Sequence, residues 1–339
     1  MPANLTPEYR AAADALRRAR DPEVRLECLR EMLRVIPKHK GTDHLQGDLK
    51  RRIRELEEEL AGPRKGGARS GPALVVRPEG AAQVALLGPP NSGKSLLHSR
   101  LTGSGAKVAP FPFTTLYPEP GMMTVEDVQL QLVDLPPLAA RHPVNWIGST
   151  LQSADAALLV VDIADPDSVQ QVEEVRSELA ARRVGLTPRW PADPPGEGLA
   201  EEEDDPFFHA LPALLVANKA DLDPDAASDA AALEDLAGLD YPVLVVSAET
   251  GAGLEALGPW LFRRLGLVRV YTKAPGKPAD HGRPFVLRPG ATVADVARLV
   301  HRDLADHVRF ARLWNATHSG HHAGRDHPVA DGDVIELHA

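Results

Sequence analysis

Apolar positions recur near helical spacing over residues 8–36, at Leu16, Val24, Leu26, Leu29, Leu33 and Ile36, with a break at Asp21-Pro22. Proline disrupts a helix interior but suits a first turn, so the pattern predicts two helices rather than one. A further periodic stretch, Leu45, Leu49, Ile53, Leu56 and Leu60, runs beside Lys50, Arg51, Arg52 and Arg54 and predicts an amphipathic helix with a basic segment. The Gly- and Pro-containing run from Gly62 to Ser70 reads as a linker and places a domain boundary near residue 70.

From Ala82 the texture changes. Short, continuously apolar runs at Val84 to Leu87, Leu130 to Val133, Ala157 to Val161, Ala213 to Ala217 and Val243 to Val246 alternate with helix-like stretches. That alternation predicts an α/β sheet over 71–267. Between Thr187 and His209 a Pro-rich segment is followed by Glu201, Glu202, Glu203, Asp204 and Asp205, which reads as a mobile surface insertion at about 187–210. After Leu267 a strand, strand, helix, strands order predicts a small α+β domain over 268–339.

The run Gly88-Pro89-Pro90-Asn91-Ser92-Gly93-Lys94-Ser95 fits GxxxxGK[ST] between a strand and a helix. Phosphates need donors, and a helix N-terminus wrapped in glycine-permitted backbone supplies N–H groups and a favourable dipole. Lys94 is expected on the β- and γ-phosphates and the Ser95 hydroxyl on Mg²⁺. Such a loop does not distinguish ATP from GTP. Asn218-Lys219-Ala220-Asp221, directly after the strand at 213–217, does: one carboxylate, Asp221, can accept from both the ring N–H and the exocyclic amine of guanine, whereas adenine would leave it facing an acceptor. Asn218 can bridge base and loop, and the Lys219 stem can lie along the ring. Ser247-Ala248-Glu249-Thr250-Gly251 follows the next strand, where the Ala248 N–H is expected to donate to the guanine oxygen. Thr115, in Phe113-Thr114-Thr115, and Asp134, at a strand end, are the expected Mg²⁺-linked sensors of the γ-phosphate and, with Lys94, the catalytic residues.

Charge and cysteine content narrow the setting. The 339 residues carry a net charge of −10, yet residues 1–70 hold 16 Lys or Arg against 12 Asp or Glu, and residues 268–339 hold 10 against 8. An acidic centre with mildly basic ends is compatible with contact to phosphates at the ends. The basic helix Lys50 to Arg54 reads as either a solvated face or an RNA contact, because Glu55 and Glu57 to Glu59 dilute its charge. Cys28 is the single cysteine, which excludes an intramolecular disulfide and fits a cytoplasmic setting, and no apolar run approaches membrane-spanning length. His318, His321, His322 and His327 cluster near the end and read as a polar loop before a metal site.

With these residues assembled, the chain resembles the DRG/OBG branch of the translation-factor-related GTPases. The resemblance rests on Pro112-Phe113-Thr114-Thr115-Leu116, on Ile36-Pro37-Lys38-His39-Lys40-Gly41-Thr42 leading into the basic helix, and on a C-terminal segment similar to the TGS domain. That segment runs from Val270-Tyr271-Thr272-Lys273 through Leu287-Arg288-Pro289-Gly290 to Asp331-Gly332-Asp333-Val334-Ile335. It implies a Ras-like P-loop domain, an N-terminal helical region, a β-grasp domain linked to ribosome or rRNA contact, and an accessory partner. Asn91 resembles the asparagine with which potassium-stimulated relatives help hold K⁺ beside the phosphates. One departure stands out. Relatives have glycine where Pro137 stands in Asp134-Leu135-Pro136-Pro137, and proline offers no N–H to a γ-phosphate. No glutamine follows to orient water, and Arg141 and His142 read as an ordinary loop. Slow GTP hydrolysis is therefore expected, with a guanine-nucleotide or alarmone sensor as the rival reading and an RNA-binding adaptor as the third.

Overall fold

The computed structural model describes residues 5–61, 76–104, 117–138, 147–194, 205, 207–301, 307–315, 317 and 319–338. The linker at 62–70, the threonine loop with Phe113, Thr114 and Thr115, the acidic run Glu201 to Asp204, and Arg141, His142 and His318 lie outside these residues. Contacts divide the chain into two compact units, one of residues 1–121, 131–188 and 196–254, the other of 122–130, 189–195 and 255–339.

The first unit begins with α1 (Pro7–Arg18) and α2 (Pro22–Val35). Their break follows from local chemistry: Pro22 occupies the first turn, and the Asp21 carboxylate caps it, accepting from the N–H groups of Glu23 at 2.8 Å and Val24 at 3.2 Å. A single tight turn at Lys40–Thr42 leads into α3 (Asp43–Ala61), fastened by the Thr42 hydroxyl, which donates to the Pro37 carbonyl at 2.5 Å. The three helices close a core of Tyr9, Leu16, Leu29, Met32, Leu49 and Leu56.

Two half-buried arginines fasten these helices to residues 152–155. Arg25 donates to the Ala19 carbonyl at 2.9 Å and to Gln152 Oε1 at 2.7 Å, and Arg20 lies 3.3 Å from Asp155. On α3, Arg51 pairs with Asp48 at 2.8 Å, Arg54 pairs with Glu58 at 2.8 Å, and Arg52 turns inward over the Phe207 ring at 4.3 Å. Much of the basic segment is thus neutralised within the unit, which favours the solvated-face reading over a free cationic stripe.

The strands are β1 (Ala82–Leu87), β2 (Glu119–Val125), β3 (Val128–Asp134), β4 (Ala156–Asp162), β5 (Val184–Thr187), β6 (His209–Asn218) and β7 (Val243–Val245). They form one sheet in the order β2-β3-β1-β4-β6, with β5 and β7 both beside β6. The β1/β4, β4/β6, β5/β6 and β6/β7 ladders are parallel. Parallel strands buried on both faces need continuous apolar runs, and Val84 to Leu87 and Ala156 to Val161 are nearly inaccessible. Helices α4 (Lys94–Thr102), α5 (Ile147–Ser153), α6 (Ser168–Ala180) and α7 (Ala226–Ala237) connect them. The register places Asp162 opposite Asn218, so the ends of β4 and β6 carry their side chains to one edge of the sheet.

In the second unit, α8 (Leu254–Arg264) is followed by β8 (Val268–Thr272), β9 (Asp280–Leu287), α9 (Val293–Val300), β10 (Phe310–Trp314), β11 (Ser319–Ala323) and β12 (Asp333–His338). The five strands take the order β11-β10-β12-β8-β9, with β12 and β8 parallel and the other pairs antiparallel. Val293 and Val296 of α9 pack on Val270, Leu287, Leu313 and Ile335. Thr292 starts that helix by donating its N–H to Asp295 at 2.9 Å.

The insertion expected at 187–210 is only partly a surface loop. Trp190 is buried and meets Trp260 edge-on at 4.8 Å, while Asp193 pairs with Arg264 at 2.9 Å. The aromatic ring, absent from a purely solvated segment, explains the difference. His321 and His322, expected in a polar loop, lie instead on strand β11, where His322 stacks on Phe310 at 4.2 Å.

Candidate nucleotide site

The loop between β1 and α4 is shaped by two glycines whose side-chain-free Cα atoms are obligatory. A Cβ on Gly88, at φ +147°, would lie 2.2 Å from the Val160 carbonyl oxygen, and one on Gly93, at φ +90°, would lie 2.2 Å from Asn218 Nδ2. Between them, Ser92 is buried and its hydroxyl donates to the Pro89 carbonyl at 3.1 Å. Pro90 and Asn91 form the outer bend. Asn91 is exposed with φ +60°, a backbone state that asparagine tolerates better than most residues, so the turn itself explains its presence.

Lys94 opens α4 and is 6% exposed. Its ammonium donates to the carbonyls of Gly88 at 3.1 Å and Pro89 at 2.6 Å. Burial pulls its pKa down to about 8, with the nearby Asp134 carboxylate opposing the shift. Beside it, the Ser95 hydroxyl donates to Asp134 Oδ2 at 2.6 Å. A hydroxyl and a carboxylate at that separation, one from a helix start and one from a strand end, are the hard oxygen donors that suit Mg²⁺.

The second loop follows β6. Asn218 is buried and points back to the first: its Nδ2 donates to the Ser92 carbonyl at 2.9 Å. Its Oδ1 accepts from the Ala248 N–H at 2.9 Å, so the donor expected on a base oxygen is engaged in fastening the loop after β7 to the loop after β6. Lys219 takes φ +67° and its ammonium lies 2.6 Å from Asp162 Oδ2. The Asp221 carboxylate is exposed and accepts from the Ser247 hydroxyl at 2.5 Å, while Ser247 itself is buried. Arg100, in the last turn of α4, donates to the Glu249 carbonyl at 2.7 Å and ties the third loop, after β7, to that helix.

The structure therefore brings Gly88 to Ser95, Asp134, Asn218, Lys219, Asp221, Ser247 and Ala248 to one edge of the sheet, while Thr115 is outside the described residues. Two features were missed by reading the sequence. Asp162 holds Lys219, and the only signal for it is an acidic residue at the end of a strand that the register sets against Asn218. Leu138, buried, donates its backbone N–H to the Gly88 carbonyl at 3.2 Å.

A family model described as a 50S ribosome-binding GTPase matches residues 83–187, and a TGS domain model matches residues 268–339. A GTP-binding protein of Methanocaldococcus jannaschii is 28% identical over 93% of this chain and 92% of its own. Developmentally-regulated G-protein 1 of Arabidopsis thaliana is 27% identical over 91% of this chain and 88% of its own. GTP-binding protein 1 of Schizosaccharomyces pombe is 27% identical over 92% and 98%. The YchF GTPase structure from Schizosaccharomyces pombe shares the fold, with a TM-score of 0.52 at 14% identity over 78% of this chain and 99% of that one. Among the described residues no helix is long and apolar enough to cross a membrane.

Proposed function

We propose that this chain, a GTP-binding protein related to the developmentally regulated G-proteins and carrying a C-terminal TGS domain, works as a slow GTP-hydrolysing switch that reports its nucleotide state to a ribosome- or RNA-containing partner. The observation that supports the reading is that the buried Lys94 and the exposed Asp221 carboxylate, held by Ser247, lie on loops that Asn218 ties together.

In this reading Gly88 to Ser95 cradle the phosphates, Lys94 neutralises charge that builds between the β- and γ-phosphates, and Asp221 accepts from two guanine N–H groups. Ser247 holds Asp221 in place, and the Lys219 stem lies along the base. Ala248 would share its N–H between Asn218 and the base oxygen. Ser95 and Asp134, joined by Thr115, would hold Mg²⁺, which supplies charge neutralisation on the phosphates when bound. K⁺, held by Asn91, would add to it. Water attacks the γ-phosphorus, the bond to the bridging oxygen breaks, and GDP leaves with phosphate. Pro137 supports slow turnover, because it removes a backbone donor where the transferred group sits.

Pro137 also favours a second reading, a guanine-nucleotide sensor with little hydrolysis. Single-turnover GTP cleavage by the full chain, in K⁺ and in Na⁺ and with and without purified ribosomes, separates them. The switch reading expects slow cleavage that ribosomes accelerate and that Lys94→Ala abolishes. Equal rates in the two salts remove K⁺ from the account, and no cleavage under any condition moves the chain to the sensor reading.

A further inference from the structure

We propose that the backbone N–H of Leu138 is the donor by which this protein distinguishes GTP from GDP. The inference rests on the reading of the site as a GTP site and adds a recognition element to it.

Two donors from separate segments converge on one oxygen. The Lys94 ammonium lies 3.1 Å from the Gly88 carbonyl oxygen, and the Leu138 N–H approaches the same oxygen at 3.2 Å. Gly88 cannot retreat, because its Cα is packed against the Val160 carbonyl. The Leu138 N–H is therefore held within two hydrogen-bond lengths of the ammonium that takes the terminal phosphates.

The chain leading there narrows the choice of donor. From Asp134 the sequence runs Leu135-Pro136-Pro137-Leu138, all buried, and the two prolines have no N–H. Leu138 is thus the first backbone donor beyond the prolines. The same prolines fix φ at two successive residues, so the arm from Asp134 to Leu138 is stiff and a pull on Leu138 is passed to the carboxylate at its other end.

Acceptor strength supplies the discrimination. A neutral carbonyl is a weaker partner than a charged phosphate oxygen. When GTP binds and Lys94 turns to its phosphates, a γ-phosphate oxygen offers the Leu138 N–H a better acceptor close to the one it leaves. GDP brings no such oxygen, and the N–H stays on Gly88. Leu138 then changes partner only with the triphosphate.

The test measures affinities of the full chain for GDP and for a non-hydrolysable GTP analogue by competition with a fluorescent guanine nucleotide. The variants are Leu138→Ala, which keeps the N–H, Leu138→Pro, which removes it, and an amide-to-ester replacement at position 138 made with the matching α-hydroxy acid. The ester and Leu138→Pro forms are expected to lose about 5- to 10-fold of analogue affinity with GDP affinity held, the difference between a hydrogen bond to a charged acceptor and the neutral one it replaces, while Leu138→Ala keeps the wild-type ratio. An unchanged ratio in the ester form overturns the proposal, and that form decides if Leu138→Pro fails to fold. Failure of the wild type to bind either nucleotide would instead overturn the reading of the site.

Discussion

Asn218 donates its side-chain amide to the Ser92 carbonyl, 2.9 Å away and 126 residues earlier in the chain. One residue thereby locks the loop after β6 to the loop between β1 and α4, and the same amide sets the limit on Gly93. Asn218→Ala leaves the Ser92 carbonyl and the Ala248 N–H without their partner, at about 1–3 kcal/mol for each group left unsatisfied. Gly93→Ala drives a methyl group into the same amide at a positive φ. Both variants should weaken GTP and GDP binding by at least about tenfold and lower the unfolding midpoint. Titration calorimetry and thermal melts check this, and wild-type values for either variant would show the tie to be incidental.

Asp162 is expected to act on the base rather than on the phosphates, because it touches Lys219 and not Lys94. Without it the Lys219 ammonium loses its anchor and the stem its place along the ring. Asp162→Ala should weaken GTP and GDP by the same factor, roughly 3- to 10-fold for one partly exposed charge-assisted bond, and leave single-turnover cleavage at saturation unchanged. Asp162→Glu should restore part of the affinity. A change in cleavage rate with affinity intact would place Asp162 elsewhere in the mechanism.

Lys94 gives the nucleotide affinity a pH dependence of known sign. Burial holds its pKa at about 8, below its ordinary value, whereas bound phosphates favour the charged form. Above about pH 8 binding must therefore take up a proton, and affinity should fall by up to about tenfold per pH unit. Lys94→Arg, charged throughout, should bind less well but without that slope. Parallel slopes in the two proteins would assign the titration to another group.

His209 predicts acid sensitivity of the helical region and sheet. Burial, with the cations Arg20 and Arg25 adding, lowers its pKa from 6.5 to about 3. Between those values the unfolded chain binds a proton that the folded chain does not, so stability falls as pH drops below about 6.5, by up to about 1.4 kcal/mol per unit. Denaturant unfolding from about pH 6.5 to pH 5 stays above the carboxylate range, and comparison with a His209 variant separates this group from the other histidines. His209→Gln should flatten the slope there, and identical profiles would contradict the assignment.

How legible the molecule is from its sequence depends on whether a feature is contiguous. Gly88 to Ser95 and Asn218 to Asp221 could be singled out because each is a short unbroken stretch, and the structure brings the two together through Asn218 and Ser92. The fully buried strands could be read from continuous apolar runs. Strand β2 could not, since Glu119-Pro120-Gly121 contains the two residues least suited to a strand, and β5 is only four residues long. Asp162 and Leu138 were hidden for a different reason. Their roles exist only through partners 57 residues away for Asp162 and 50 for Leu138, which strand register brings together for Asp162 and a loop hydrogen bond for Leu138. Trp190 marks the converse error, in which polar neighbours masked one ring with a buried place.

Exchanging the base specificity tests the proposal that one site both reads guanine and cleaves the γ-phosphate. Asn at position 221 offers an amide N–H where xanthine presents a carbonyl and guanine an amine. Single-turnover cleavage of GTP and XTP should show the wild type cleaving GTP with little action on XTP, and Asp221→Asn the reverse, with Lys94→Ala abolishing both. An Asp221→Asn protein that still prefers GTP, or a wild type that cleaves neither, would contradict the account.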